Sequence, residues 1–245
     1  MRVEGRTDAG LVRKTNQDDF AYGVYDGGAW AVVCDGMGGA SGGSVASGRA
    51  IKLIADRLRE GCPGPEDLGR IKQLLFGALG EANDDVYRAA QDDPQLRGMG
   101  TTVVACIATG KNAYIVHAGD SRAYIVTDGG TVPLTRDHSI VQEMLESGKL
   151  KPEEAQAHPQ KNIITRALGV DETLDIDFCE TTFAKGTYLL LCTDGLTNLV
   201  DDASIGETVR SEGLGAANKL VDMANAGGGI DNITVVVIDN QQAGE

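Results

Sequence analysis

Short runs of apolar and β-branched residues recur along the chain and predict β-strands. These runs are Trp30 to Cys34, Thr102 to Ala108, Ala113 to Ala118, Ala123 to Val126, Tyr188 to Cys192 and Ile233 to Ile238. Hairpin-like turn sequences follow two of the runs, at 109–111 and 128–130, and the Gly119-Asp120 corner has a similar sequence. Neighbouring strands are therefore predicted to be antiparallel.

Longer stretches with apolar residues three or four positions apart predict amphipathic helices. The clearest stripe consists of Leu68, Ile71, Leu75, Ala78, Ala82 and Val86. A second helix is predicted to begin near Ser44, and an amphipathic pair is predicted between Ala203 and Ala224. Strands clustered in hairpins, with helices before and after them, favour an α+β fold of antiparallel sheets covered by helices over an alternating βαβ fold.

Neither an internal repeat nor a Pro/Ser-rich linker divides the 245 residues. One domain over 1–240 is therefore the simplest prediction, with 241–245 as a short C-terminal tail. The five cysteines are odd in number and form no CxxC pair, which is typical of reduced thiols in the cytoplasm. No apolar run approaches the ~18 residues of a membrane span, so a cytoplasmic protein is predicted.

Acidic residues outnumber basic residues by 36 to 22, which gives a formal net charge of −14. Nucleic acid and anionic membranes would be repelled at long range by this charge, so neither is an expected partner.

Four carboxylates occur where predicted strands begin or end, at Asp35, Asp120, Asp194 and Asp231. Asp18, just before the strand-like stretch Phe20 to Val24, is a candidate fifth member. For each residue alone a turn is the better explanation, since Asp-Gly is a common turn signal. Together, carboxylates that converge at one rim of a sheet would repel one another unless protons or cations intervene.

The chain has no HExxH motif, no paired cysteines and no histidine-rich cluster, so zinc is disfavoured. An all-oxygen site for Mg²⁺ or Mn²⁺ is predicted instead, and Gly36 has no side chain to prevent its carbonyl from approaching a metal. Two such ions bridged by one carboxylate would activate water and hold a phosphoryl oxygen, which favours phosphoester hydrolysis.

Seven short segments resemble, in order, the motifs of the metal-dependent type-2C protein phosphatases, the PPM family, and most closely its compact bacterial branch. The segments are Arg13-Lys14-Thr15-Asn16-Gln17-Asp18, Val33-Cys34-Asp35-Gly36-Met37-Gly38-Gly39, Gly100-Thr101-Thr102, Gly119-Asp120-Ser121-Arg122, Asp137-His138-Ser139, Thr193-Asp194-Gly195-Leu196 and Asp231-Asn232-Ile233-Thr234. The resemblance implies an αββα sandwich, in which two antiparallel β-sheets are flanked by pairs of helices. It also implies hydrolysis of phosphoserine and phosphothreonine in proteins by attack of a metal-bridging water or hydroxide, with no phosphoenzyme.

The same resemblance implies roles for individual residues. Asp35 would bridge two metal ions, Gly36 would bind one of them through its carbonyl, and Asp194 and Asp231 would complete the other. Further implied roles are a third, weaker ion at Asp120 and Asp194, contact of Asp18 with a metal or its water, and binding of the substrate phosphate by Arg13.

Three positions depart from the family pattern, Met37 and Gln17 from that of many eukaryotic members and Ser44 from that of the family in general. Met37 stands where the eukaryotic members have a histidine proposed to protonate the leaving oxygen, and Gln17 and Ser44 stand where glutamates are common. A thioether cannot donate a proton, so water or another group must assist, or no general acid is used. Bacterial relatives share the first two changes, which therefore do not indicate an inactive enzyme.

A structural explanation is available for each of the three histidines. His117 lies inside a predicted strand and is expected in the core, His138 is as well explained by anchoring the next segment as by catalysis, and His158 is expected in a loop. Residues 139–165 correspond to the family's flap beside the active site.

Phosphorylated proteins are the predicted partners, with a cognate Ser/Thr kinase and its targets inferred from family analogy, and a monomer is expected. Two alternatives stay open. One is a non-catalytic relative that uses the fold as a binding module, although it would have no chemical reason to keep Asp35, Gly36, Asp194 and Asp231. The other is a catalyst dedicated to one regulator, such as an anti-sigma-factor antagonist.

Overall fold

A computed structural model describes residues 1–62, 67–155 and 158–240. The predicted tail, 241–245, lies outside these residues. None of the helices described here combines the length and the hydropathy that crossing a membrane requires.

Two antiparallel sheets form the centre of the fold. The strands in the described ranges are β1 (Arg2–Asp8), β2 (Asp18–Tyr25), β3 (Gly28–Met37), β4 (Gly100–Thr101), β5 (Val103–Thr109), β6 (Asn112–Ala118), β7 (Arg122–Thr127), β8 (Gly130–Pro133), β9 (Asp177–Thr182), β10 (Tyr188–Cys192) and β11 (Ile233–Asp239). One sheet has the order β1-β11-β10-β7-β8, and the other has the order β2-β3-β5-β6-β9 with the short β4 paired to β3.

Helices cover both outer faces of this pair of sheets. The helices of the described ranges are α1 (Gly39–Gly61), α2 (Leu68–Asp92), α3 (Ile140–Glu146), α4 (Pro152–Ala155), α5 (Asp194–Thr197), α6 (Asp202–Glu212) and α7 (Ala216–Ala226), with short 3-10 turns at Pro94–Leu96 and Gly213–Gly215. The covering helices are α1 and α2 on one face and α6 and α7 on the other. The predicted apolar stripe of α2 is buried from Ile71 to Val86, and Asp67 caps the helix by accepting a hydrogen bond from the backbone N–H of Arg70.

Three apolar clusters show the order of the layers. The first lies between α1–α2 and the six-stranded sheet, with Ile54 and Leu75 among its members. The second joins the inner faces of the two sheets, and the third packs α6 and α7 on the five-stranded sheet. The layers are therefore helices, sheet, sheet, helices, which confirms the predicted αββα sandwich.

The structure confirms two predicted hairpins and corrects a third. β5 pairs with β6 and β7 pairs with β8, as the turn sequences indicate. The Gly119-Asp120 corner is not a hairpin, because β6 and β7 belong to different sheets. Gly119 has a φ of 112°, and a Cβ there would lie 2.7 Å from Thr102 Cβ, so glycine lets the chain cross between the sheets at close quarters.

Helix α1 begins at Gly39, five residues before the predicted start near Ser44. The glycine-rich stretch that follows β3 is therefore the first turn of this helix rather than a separate loop. This early start places the N-terminal turn of α1 directly beside the end of β3, where Asp35 lies.

Candidate active site

A cavity of about 440 Å³ opens at one edge of the sandwich, where the strand ends that carry the acidic residues meet. Asp35, Asp120, Asp194 and Asp231 all line it, together with Arg13. Antiparallel pairing explains the convergence. The end of β10 lies beside the start of β11, and the end of β6 lies beside the start of β5, so these ends share one rim.

Asp18 lies behind this cavity rather than on its wall. It faces Asp35 in the register of β2 and β3, and it is 7% exposed. Its Oδ2 accepts hydrogen bonds from the hydroxyls of Thr193, at 2.8 Å, and Thr234, at 2.7 Å. Asp18 therefore ties the six-stranded sheet to the two strands that deliver Asp194 and Asp231.

Gly36 is packed too tightly for any other residue. A Cβ there would collide with the carbonyl oxygen of Gly43 and would lie 2.7 Å from that of Gln17. Its N–H donates to the carbonyl of Gln17 at 3.1 Å, which fixes the peptide that follows Asp35. The glycines of this stretch thus allow strand β3 and helix α1 to approach each other at the cavity.

Burial raises the pKa of the carboxyl groups around the cavity. Loss of solvation is the main cause for each, and neighbouring carboxylates add to it. The pKa of Asp35 lies well above its usual range and that of Asp194 is also raised, whereas the pKa of Asp120 is raised to about 8 and that of Asp18 to about 7. Without compensating positive charge the cavity therefore favours protonated carboxyl groups.

Arg13 lines the cavity, and hydrogen bonds fix the chain before and after it. Its Nη2 donates to Asp231 Oδ2 at 2.7 Å. The amide of Asn232 bonds to three backbone groups around Arg13: it accepts from the N–H of Gln17 and donates to the carbonyls of Ala9 and Thr15. Asn232 is 5% exposed, so these bonds are shielded from water.

The role of Asn232 was not predicted from the sequence, and neither were those of Thr193 and Thr234. The two threonines were visible only as polar positions next to apolar strand residues. Such a position in an otherwise buried strand requires a hydrogen-bond partner, and this is the signal that could have pointed to Asp18.

Comparison with known proteins agrees with this geometry. Residues 12–212 match the family model described as Protein phosphatase 2C. The chain belongs to the protein phosphatase 2C family. It is therefore a protein phosphatase, and the resemblance predicted from the seven motifs is confirmed.

Similar proteins match nearly the whole chain. The serine/threonine phosphatase stp of Listeria innocua is 38% identical over 244 residues, which cover 98% of this chain and 96% of that protein. The crystal structure of the Mycobacterium tuberculosis serine/threonine phosphatase PstP/Ppp superposes with a TM-score of 0.88 at 34% identity and covers 98% of this chain and 99% of that chain. The catalytic domain of PstP in complex with two manganese ions superposes with a TM-score of 0.83 at 35% identity, over 97% of each chain.

The side chains at this 2C-family cavity fit hard divalent cations. The Oδ1 atoms of Asp18 and Asp194 are buried without a hydrogen-bond partner in the described part of the chain. The Oδ2 of Asp194 accepts from Asn198 Nδ2 at 2.9 Å, so one oxygen of this carboxylate is oriented and the other is left to bind. Unpaired carboxylate oxygens crowded at one place are the donors that Mg²⁺ and Mn²⁺ prefer.

The three residues that depart from the family pattern each make contacts at or near the cavity. Met37 lines the cavity. Gln17 donates through Nε2 to the carbonyl of Gly39 at 3.0 Å, and Ser44 donates through its hydroxyl to the carbonyl of Ser41 at 3.1 Å. These contacts brace the start of α1, and the carboxylates of the site do not depend on them.

His117, His138 and Asp177 form a second group that could in principle hold a metal. Ring nitrogens of both histidines already have hydrogen-bond partners: His117 Nε2 contacts the carbonyl of Arg136 at 2.9 Å, and His138 Nδ1 accepts from the N–H of Gly119 at 3.2 Å. Arg166 also reaches both His138 and Asp177. This group connects β6 and β9 with the residues that directly precede and follow the predicted flap, Arg136, His138 and Arg166. His117 is in the core, as expected, and His138 anchors the neighbouring chain, which is one of its two predicted roles.

The described residues of the predicted flap region, 139–155 and 158–165, form one side of the site. Asn162 and Ile164 of this region line the cavity that holds the carboxylates. A second cavity of about 530 Å³ lies under α3, with Asp120 and Asp194 as shared walls. Asp137 closes its far side in a bidentate pair with Arg122, both bonds being 2.8 Å long. His158 lies in an irregular segment, as predicted.

Proposed function

We propose that this 2C-family phosphatase removes phosphate from serine and threonine side chains of proteins with the help of two Mg²⁺ or Mn²⁺ ions. The observation that supports this most directly is the group of carboxylates at one cavity, where Asp194 on the wall and Asp18 behind it each keep a buried oxygen without a hydrogen-bond partner among the described residues. The PstP catalytic domain, a relative of similar fold, was crystallised with two manganese ions.

Asp35, Asp194 and Asp231 are the proposed carboxylate ligands of the two ions, with the carbonyl of Gly36. Asp35 would be the bridging ligand, as the family resemblance implies; burial first, and then the neighbouring carboxylates, raise its pKa. Asp120 and Asp194 are the proposed ligands of a weaker third ion, and Asp18 is proposed to contact the metals or their water from behind. When bound, the ions neutralise the carboxylates and lower the pKa of coordinated water towards neutrality.

Arg13 is the proposed phosphate-binding residue. A guanidinium forms two parallel hydrogen bonds to phosphate oxygens and stays charged at any working pH. The hydrogen bond to Asp231 uses one nitrogen of the guanidinium, Nη2, and orients the group at the cavity.

Attack by water on phosphorus, with release of the serine or threonine oxygen, requires no covalent intermediate with the protein. The described residues that line the cavity include no histidine, lysine or cysteine. We propose that the departing oxygen takes its proton from water and that no phosphoenzyme forms, because the aspartates of the cavity are the proposed metal ligands.

Serine/threonine kinases of the same cell are the proposed source of the phosphorylated substrates, a pairing that rests on family analogy. Activity dedicated to a single regulator is the narrower alternative, and substrate profiling separates the two. The monomeric state and the cytoplasmic location stay predictions.

The experiment that tests the proposed function measures release of phosphate from a phosphothreonine peptide and from p-nitrophenyl phosphate, with Mn²⁺, with Mg²⁺ and with excess EDTA. The proposal requires turnover of both substrates with metal and none with EDTA. Asp35→Asn should lower kcat by at least about a thousandfold while the protein stays folded, because it removes charge from the bridging position.

Asp26→Asn is the matched control, since Asp26 also precedes a glycine but lies exposed in the turn after β2. It should retain wild-type turnover. A fully active Asp35→Asn protein would refute the assigned site, and a folded wild type without turnover under any metal would favour a non-catalytic binding module.

A further inference from the structure

Three large apolar side chains are exposed on the two loops that carry the cavity-lining residues Arg13 and Asp231. Leu11 is 70% exposed, Val12 is 64% exposed and Ile230 is 48% exposed. Leu11 and Val12 directly precede Arg13, and Ile230 directly precedes Asp231, both of which line the cavity. We call these three side chains the apolar rim.

The apolar rim is held in place by the backbone of two loops. The N–H groups of Leu11 and Val12 both donate to the carbonyl of Gly229, at 2.7 and 3.3 Å. Gly10 lies so close to the second loop that a Cβ would collide with the carbonyl of Asp231. These contacts connect the two loops, so the apolar rim is carried by backbone that is held in place.

Solvent-exposed apolar side chains on a fixed backbone beside a binding cavity are typical of recognition surfaces. A substrate phosphate bound at Arg13 brings the neighbouring substrate residues with it. An extended chain advances about 3.5 Å per residue, so residues within about three positions of the phosphorylated one must lie on the rim of the cavity. Leu11 and Val12 are adjacent to Arg13 in the chain and so lie within that range.

The other walls of the site carry apolar residues as well, such as Ile164, but also more acidic ones. The second cavity beyond Asp120 and Asp194 is lined by further aspartates, including Asp201 and Asp202. A substrate side chain that rests on the apolar rim can bury surface without losing a hydrogen bond.

We propose that the apolar rim docks an apolar side chain of the protein substrate, located within about three residues of the phosphorylated residue. This inference rests on the proposed function and deepens it, because it assigns a sequence preference to the same site. The occupant is a side chain such as leucine, and the chemical reason is burial of surface that both partners otherwise expose to water.

The test compares phosphothreonine peptides that are polar throughout with peptides carrying one leucine, moved through the three positions on each side of the phosphorylated residue. The wild type should prefer leucine at one or more positions by about tenfold in kcat/KM, the scale of a small apolar contact. The Leu11→Ser/Val12→Ser/Ile230→Ser variant should lose most of this preference. Its turnover of p-nitrophenyl phosphate, which has no flanking residues, should stay within about twofold of wild type.

Val24→Ser and Val132→Ser are matched controls, because these valines are 56% and 55% exposed and lie outside the cavity lining. Both should keep the preference for leucine. The inference is overturned if the wild type shows no preference, if the triple variant keeps it, or if the triple variant loses p-nitrophenyl phosphate turnover as well. It is also overturned if sedimentation shows that the triple variant dissociates a dimer, since the rim would then contact a second copy of the chain.

If the wild type hydrolyses p-nitrophenyl phosphate and hydrolyses all the peptides at the same rate, this inference is wrong and metal-dependent catalysis is unaffected. A wild type that hydrolyses neither substrate would remove the proposed function itself.

Discussion

Replacing Asn232 with alanine removes the amide that holds the arginine loop against the strand-end carboxylates. The wild-type amide makes three hydrogen bonds, to Gln17 N at 2.8 Å, to the Ala9 carbonyl at 2.9 Å and to the Thr15 carbonyl at 3.0 Å. Each of these bonds connects the Asn232 side chain to a backbone group that precedes or follows Arg13 in the chain. The variant leaves three backbone groups without these partners.

Each lost bond costs about 1 kcal/mol, so the free energy of unfolding should fall by about 3 kcal/mol. For a chain of this size the melting temperature should decrease by roughly 6–12 °C. The arginine loop should also lose its fixed position, and misplacement of a phosphate-binding group by about 1 Å can cost a hundredfold in rate. We expect kcat/KM for p-nitrophenyl phosphate to fall between about tenfold and a hundredfold.

A double-mutant cycle with Arg13→Ala measures whether Asn232 acts through the arginine. If it does, Asn232→Ala should lower kcat/KM by less than about twofold in the Arg13→Ala background. Asn218→Ala is the control, because Asn218 is exposed on α7 and its side-chain amide makes one long hydrogen bond, of 3.4 Å, to Glu4. The reasoning is refuted if the loss caused by Asn232→Ala is equally large in both backgrounds, or if the single variant is as stable as wild type.

Two further predictions concern stability and pH. The pKa values of Asp18 and Asp120 are raised to about 7 and about 8, so between about pH 4 and those values the folded, metal-free protein keeps protons that the unfolded chain has lost. The melting temperature in EDTA should therefore fall as pH rises from about 5 to about 8, and a rising or flat profile would contradict the burial of these groups. His138→Ala should cost about 2 kcal/mol, because the N–H of Gly119 loses its acceptor and the stack on His117 is lost. The shape of its pH–rate profile should not change, since His138 does not line the cavity, and loss of the limb reporting an acid would show that it acts in catalysis.

Much of the site could be predicted from the sequence because strand ends are easy to recognise. The apolar runs before Asp35 and Asp194 are continuous, and in an antiparallel sandwich such ends meet at a common rim. The buried stripe of α2 was equally clear, since its apolar residues follow one helical face.

Strands β1 and β9 were not predicted, because both lie at sheet edges and alternate with charged or polar residues. Gly5 illustrates the difficulty. The ring of Phe20 occupies the space where a side chain at Gly5 would lie, so this contribution to the core comes from another strand. The crossing at Gly119 was missed for a similar reason, since a turn sequence does not say to which sheet the next strand belongs.

The most direct test of the central claim is a manganese anomalous difference map from crystals of this protein grown with Mn²⁺. The account predicts two strong peaks in the cavity, both beside Asp35, one of them also beside Gly36 and the other also beside Asp194 and Asp231. A map from manganese-activated protein with no peak in that cavity, or with its peaks at His117 and His138 instead, would contradict the account.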